Sequence, residues 1–164
     1  MQQIYAHVTP EQAAGKLLTE RGLTLATMEN CTGGSLINSI TEVPDSAAYC
    51  KGGVVASSQE TYVANGVPLT LMQQHGTVSQ ESATAMAQAI RVKLGADFGI
   101  GVTGVPGPLA VEDRPVGLAY FSSASAGSVQ EQEMRVPPWR ITMKRRVANT
   151  ALIELCKLLR GATR

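Results

Sequence analysis

The sequence has few rings and few charges. One Trp, two Phe and four Tyr occur in 164 residues. So few aromatics leave no stacking surface for single-stranded bases. Charged residues make up only 16%, with 14 Lys+Arg against 13 Asp+Glu. A net charge of +1 creates no broad field to draw in nucleic acid or an anionic membrane, so neither is expected as a partner. It leaves room for one local anion pocket. The three cysteines are Cys31, Cys50 and Cys156. Their odd number and wide spacing argue against a disulfide scaffold and match no metal site, so no metal or other cofactor is expected. No unbroken apolar run approaches the ~18 residues of a membrane span. Residues Met1 to His7 lack the basic-then-apolar pattern of a secretory leader. A reducing cytoplasm is the expected location.

Hydrophobic residues are 44% and glycines number 16. That is a globular composition with many tight turns, and the length suits one domain over residues 1–164. Thr9-Pro10-Glu11 reads as a helix start: a hydroxyl cap, a proline at the first position and an acid in the first turn. That helix runs to about Arg21 and ends at Gly22. Strands are expected at Leu23–Met28, Gly53–Ser58, Phe98–Thr103, Gly117–Ser123 and Gln130–Val136. A short helix holds Ile37 and Ile40, and short pieces broken by Gly66 and Pro68 fill Gln59 to His75. Ser79 caps a helix whose Ala83, Met86, Ala87, Ile90 and Leu94 form one apolar stripe. Trp139 leads into a last helix with Val147, Ala151, Leu155 and Leu158 on its inner face. Helices alternate with strands, then strands cluster. The order predicts a three-layer α/β/α sandwich on a mixed sheet of about five strands.

Two loops follow strand ends, where open α/β sheets bind ligands. The first is Glu29-Asn30-Cys31-Thr32-Gly33-Gly34. It is either a plain tight turn capped by Thr32 or a phosphate cradle at a helix start. The second, Thr103-Gly104-Val105-Pro106-Gly107-Pro108, is either a rigid connection or the other wall of a pocket. Arg140 stands just before the last helix, placed to grip a phosphate bidentately, while Lys144 and Arg145 read as a solvated face. His7 and His75 are isolated. Cys31 is the one thiol placed to act as a nucleophile, with a small buried residue beside a turn as the plainer alternative.

These motifs together resemble the CinA C-terminal domain family, whose stand-alone members are nicotinamide mononucleotide (NMN) amidohydrolases. The matching stretches are Thr27 to Gly34, Lys51 to Val55, Gly66-Val67, His75 to Ser79, Ala96-Asp97, Thr103 to Pro108 and Arg114 to Gly117. They run in family order over nearly the whole chain. The resemblance implies an α/β/α sandwich with a pocket for an NMN-like nucleotide or sugar phosphate. It implies hydrolysis of a carboxamide to the acid and ammonia without a metal, and a homo-oligomer. The ligand residues it implies are Thr32, Gly33, Gly34, Thr103, Gly104, Gly107 and Arg140.

Four departures stand out. Asn30 replaces the family's nucleophilic serine. Ala56 and Thr61 are assigned the positions of a tyrosine and of the lysine that serves as base. Leu109-Ala110-Val111 replaces a Gly-Gly, and Pro138-Trp139-Arg140 keeps only the arginine of Gly-Asp-Arg. An amide is no nucleophile, and a threonine has no basic site at neutral pH. Three expectations follow: a non-catalytic relative that keeps the nucleotide pocket; an active amidohydrolase using Cys31 or Thr32 instead; or an interaction module without a ligand.

Overall fold

A computed structural model describes residues 8–161. His7 and the leader reading of Met1 to His7 lie outside them. The elements are α1 (Pro10–Arg21), β1 (Leu25–Glu29), α2 (Ser35–Thr41), a 3-10 turn (Ser46–Ala48), β2 (Cys50–Val55), α3 (Gln59–Ala64), α4 (Leu69–His75), α5 (Gln80–Lys93), β3 (Phe98–Gly104), β4 (Leu118–Ala124), β5 (Val129–Arg135) and α6 (Arg140–Gly161). The sheet order is β2-β1-β3-β4-β5. β1 pairs parallel with β2 and β3, while β4 and β5 add antiparallel.

This is the three-layer α/β/α sandwich on a five-stranded mixed sheet. β1 and β3 are buried at every position, as central parallel strands covered on both faces must be. Alternate side chains feed two cores. Leu25 joins Leu18, Leu36, Ile40 and the α6 residues Val147, Ala151 and Leu155 on one face. Ala26 and Met28 join Tyr62, Met72, Met86 and Ile90 on the other. On that second face α5 lies very close to β3. A Cβ on Gly101 would stand 2.1 Å from the Ala83 carbonyl oxygen, and one on Gly99 would stand 2.0 Å from that of Ala87. Glycine facing alanine therefore sets the helix-to-sheet distance, and with it the position of the α5 start beside the strand ends.

Several local signals act as expected. Thr9 and Gln12 form a reciprocal capping box on α1, and Gly22 closes it at φ 64°. Ser79 caps α5 through Ser82 N–H at 3.1 Å.

Other boundaries move. β2 spans Cys50–Val55, three residues before the expected strand. Gly52 and Gly53 lie inside it, opposite Ala26 and Thr27 of β1. A Cβ on Gly53 would sit 2.3 Å from Thr27 Oγ1, so this glycine marks a close approach rather than a strand start. In the last turns of α6, Leu159 is buried and Leu158 only partly so, because i+4 from Leu155 stays closer to the inner face than i+3.

Candidate functional site

Because β1, β2 and β3 run parallel, the segments after Glu29, Val55 and Gly104 all leave the same edge of the sheet. β1 sends its crossover to β2 on one side and has β3 on the other. That reversal opens a crevice beyond the strand ends. A cavity of about 430 Å³ lies there. Asn30, Cys31 and Gly33 come to it from the first loop, and Ser57 from the end of β2. Thr77 and Val78 come from the turn before α5, and Gly104, Pro106, Gly107, Leu109 and Val111 from the segment after β3. Arg140 and Lys144, one turn apart on α6, complete it.

The first loop is wired from inside. Glu29 is fully buried and its carboxylate accepts four hydrogen bonds. Thr32 Oγ1 donates at 2.6 Å, and the N–H groups of Gly34, Leu36 and Ile37 donate at 3.1, 3.0 and 2.8 Å. Glu29 thus caps α2, and the expected Thr32 cap is replaced: the residue before the helix is Gly34, which has no side chain to cap with. Those backbone donors are committed to Glu29, which limits the cradle expected at Thr32-Gly33-Gly34. Gly33, at φ 59°, is the part that faces the cavity. A Cβ there would stand 2.8 Å from Lys144 Nζ, so the half-buried ammonium rests directly over this glycine.

The supposed reactive groups are held elsewhere. Asn30 Nδ2 donates to the Ala56 carbonyl at 2.9 Å, tying the first loop to the end of β2. Cys31 is buried, and burial pushes its thiol up to about 12 against the pull of its own and the Thr32 N–H groups. Burial thus disfavours the thiolate that a nucleophile needs. The Thr32 hydroxyl donates its hydrogen bond to Glu29 and does not line the cavity.

Ala56 and Thr61 turn away as well. Ala56 is fully buried, and Thr61 Oγ1 lies 3.1 Å from Ser58 Oγ in the first turn of α3. Ser57 lines the cavity, while Tyr62 is buried in the second core with its hydroxyl near Thr103, Cys31 and Glu112. Burial raises the Tyr62 phenol above its ordinary value, so it is no base at neutral pH.

Of the ligand residues expected from the sequence, Gly33, Gly104, Gly107 and Arg140 meet at the cavity. Thr103 instead donates to the Thr77 carbonyl at 2.8 Å, below it. Gly34 opens on a separate polar groove between α1, α2 and α6. Arg140 is the first residue of α6 rather than a residue before it, and its guanidinium donates to the Gly107 carbonyl. Lys144 was read as solvated face. The missed signal is the spacing of four: Arg140 at the cavity places residue 144 on the same side of the helix. His75 approaches Glu81, with Nδ1 3.5 Å from the carboxylate. Among the described residues no group of three or more His, Cys, Asp or Glu gathers to hold a metal, and no helix is long and apolar enough to cross a membrane.

The parallel core with antiparallel β4 and β5 at one edge, and the crevice at its strand ends, define an α/β/α domain that presents a small polar pocket with two cations. Comparison with known proteins then gives the family. The model of the CinA C-terminal domain matches residues 8–159, and the chain belongs to that family. It is 38% identical over 152 residues to a competence-damage inducible protein of Desulforamulus reducens, covering 92% of this chain and 37% of the relative. A CinA-like protein of Gloeobacter violaceus is 36% identical over 152 residues, covering 91% and 36%. The chain therefore spans somewhat over a third of the length of the curated relatives it matches. Among solved structures, a competence-damaged protein (CinA) superfamily protein of Klebsiella pneumoniae superposes with TM-score 0.90 at 28% identity, covering 93% of this chain and 97% of the other. One from Escherichia coli superposes with TM-score 0.86 at 26% identity, covering 96% and 94%.

Proposed function

We propose that this chain is a non-catalytic relative of the NMN amidohydrolases that binds a small phosphate-bearing ligand of the NMN type. The observation that carries this reading is the contrast inside one cavity. The cations Arg140 and Lys144 converge on Gly33 and Gly107, while the candidate nucleophiles of the first loop are unreactive. Asn30 is an amide bonded to backbone, the Cys31 thiol is protonated, and the Thr32 hydroxyl is spent on Glu29. Two cations on one helix turn suit a dianionic phosphate, which forms charge-assisted contacts with both. The apolar side chains of Val78, Leu109 and Val111 offer the remaining wall to the ring or sugar that the phosphate carries.

Calorimetric titration with NMN, nicotinate mononucleotide and ribose 5-phosphate, with ammonia release followed in parallel, tests it. Saturable binding without ammonia is expected. Losing both nucleophile and base costs on the order of 10⁴–10⁶ in rate, which places hydrolysis at background. Ammonia release by the unmodified protein would overturn the non-catalytic reading. The departures from the family pattern also set the variant that should regain turnover. It is Asn30→Ser with Thr61→Lys, with Ala56→Tyr added if needed, since these restore the side chains the resemblance places there. Either substitution alone leaves half a mechanism and should stay inactive.

A further inference from the structure

The segment between β3 and β4, residues 105–117, crosses one side of the cavity with irregular backbone; Val105 and Gly117 at its ends are buried, and residues 108–113 between them are exposed. Leu109 is 77% exposed and Val111 43%, yet both contribute to the cavity wall. Val111 and Arg114 exchange two backbone hydrogen bonds, at 3.2 and 2.8 Å, around a two-residue turn. Its central residues Glu112 and Asp113 lie at φ 51° and 57°. Such turns favour Asn and Gly, so Glu at the first position is a poor choice for the turn itself. Its side chain supplies the reason for its presence. The carboxylate accepts from Thr77 N–H at 3.0 Å, Thr77 Oγ1 at 2.7 Å and Val78 N–H at 3.0 Å, all 34 or 35 residues away in sequence. The turn it grips begins with Gly76, at φ 81°, where any Cβ would meet Glu112 Oε2 at 2.3 Å. Thr77 and Val78 are themselves part of the cavity wall.

We propose that segment 105–117 is a flap over the cavity and that Glu112 is its latch, a positioning residue that fixes Leu109 and Val111 against the Thr77–Val78 wall. One carboxylate joins two walls that share no backbone hydrogen bond across this contact. The Arg140 bond to Gly107 and the backbone bonds of Val105 and Gly117 tie the flap at its base, so without Glu112 the tip between Pro108 and Val116 is free to move. The consequence for ligand affinity rests on the cavity being the phosphate-ligand site proposed above. The latch itself does not.

The test is hydrogen exchange of the intact protein together with titration by ribose 5-phosphate. Glu112→Gln keeps the side chain's size but places an N–H₂ against a donor. Glu112→Gly removes the carboxylate while giving the turn the residue it prefers. Both should raise exchange at residues 76–78 and 105–114 by roughly tenfold, the scale of one or two lost charge-assisted bonds. Exchange in β3 and α5 and the melting temperature should stay near wild type. Ribose 5-phosphate affinity should fall several-fold in both variants. If Glu112→Gly leaves the flap protected, the turn alone holds it and the latch is refuted. If exchange rises but affinity does not change, Glu112 does not position the site. Failure of the wild type to bind ribose 5-phosphate, with exchange raised in the variants, removes the ligand reading and leaves the latch standing.

Discussion

The loop after β1 and the flap after β3 leave the same edge of the sheet, and both carry glycines at positive φ. In the first loop a fully buried carboxylate, Glu29, gathers four donors from its own turn and the helix that follows. In the flap an exposed carboxylate, Glu112, gathers three donors from a distant segment. The two arrangements use the same chemistry at different depth. Depth decides what each is worth, because a buried donor that loses its partner stays unsatisfied while an exposed one turns to water. The first loop is therefore part of the folded core, and the flap is a local structure that can open without unfolding the rest.

The sharpest way to break this comparison is at Glu29. Glu29→Ala should cost on the order of 3 kcal/mol or more, because it strands several buried donors at once. That is a large part of a typical 5–15 kcal/mol of stability. Urea unfolding followed by circular dichroism measures it. A loss under ~1 kcal/mol would mean that the first loop is no more integral than the flap.

The next effect concerns ligand. Lys144 touches the first loop at Gly33, and Arg140 touches the flap at Gly107. Lys144→Ala and Arg140→Ala should each weaken NMN or ribose 5-phosphate binding by roughly 10- to 100-fold, the scale of a charge-assisted bond of ~1.5–3 kcal/mol. Only Arg140→Ala should also raise exchange in the flap. Gly33→Asp should abolish binding, since its carboxylate would pair with Lys144 in place of the phosphate. Unchanged affinity in both alanine variants would place the two cations with the solvated face.

How much of this was legible in the sequence follows the same division. The two glycine loops, the capped helices and the order of strands were readable, because Thr9, Ser79, Gly22 and the apolar stripe of α5 act on residues close by in the chain. The partners of Glu29 were partly readable, being three to eight residues away. Glu112 was not, because nothing local marks a carboxylate that bonds a turn 34 residues upstream. Ser57 at the cavity and the buried Tyr62 near it were not singled out, because each depends on how distant segments pack. The Gly52-Gly53 pair suggested that β2 starts there, whereas those glycines sit mid-strand against Thr27. Nothing close by in the chain showed that Ala56 is buried or that Thr61 turns to Ser58.

A smaller effect should appear with pH. Burial pushes the Glu112 carboxyl up, but the Thr77 hydroxyl, the Val78 and Thr77 N–H groups and the Arg114 charge outweigh it and hold it below its ordinary 4.5. A lowered folded value means that the contribution is complete above 4.5 and is lost as pH falls through the folded value. The buried Tyr62 phenol beside it stays neutral throughout. Flap exchange, corrected for its intrinsic pH dependence, should therefore be flat near neutrality and accelerate in acid. The Glu112→Gln variant should show no such step. An equal acid step in both would assign it to another carboxylate.

The smallest effect is expected at Asp113, and it separates backbone strain from side-chain bonding in the flap. Asp113 shares the left-handed conformation of Glu112, at φ 57°, but no hydrogen bond is seen from its side chain. A left-handed residue with a Cβ costs ~1–2 kcal/mol, somewhat less for Asp, and glycine removes that cost while adding chain entropy to the unfolded state. Asp113→Gly should thus be neutral to stabilising by ~0.5–1 kcal/mol in urea unfolding, and it should slow exchange at Val111 and Arg114. The opposite sign at the neighbouring position, looser in Glu112→Gly and tighter in Asp113→Gly, would show that the same substitution in the same turn acts through the carboxylate in one case and through the backbone in the other. If both variants loosen the flap alike, the turn's own conformation is what holds it closed, and the contrast between the two loops lies in their backbones rather than in their carboxylates.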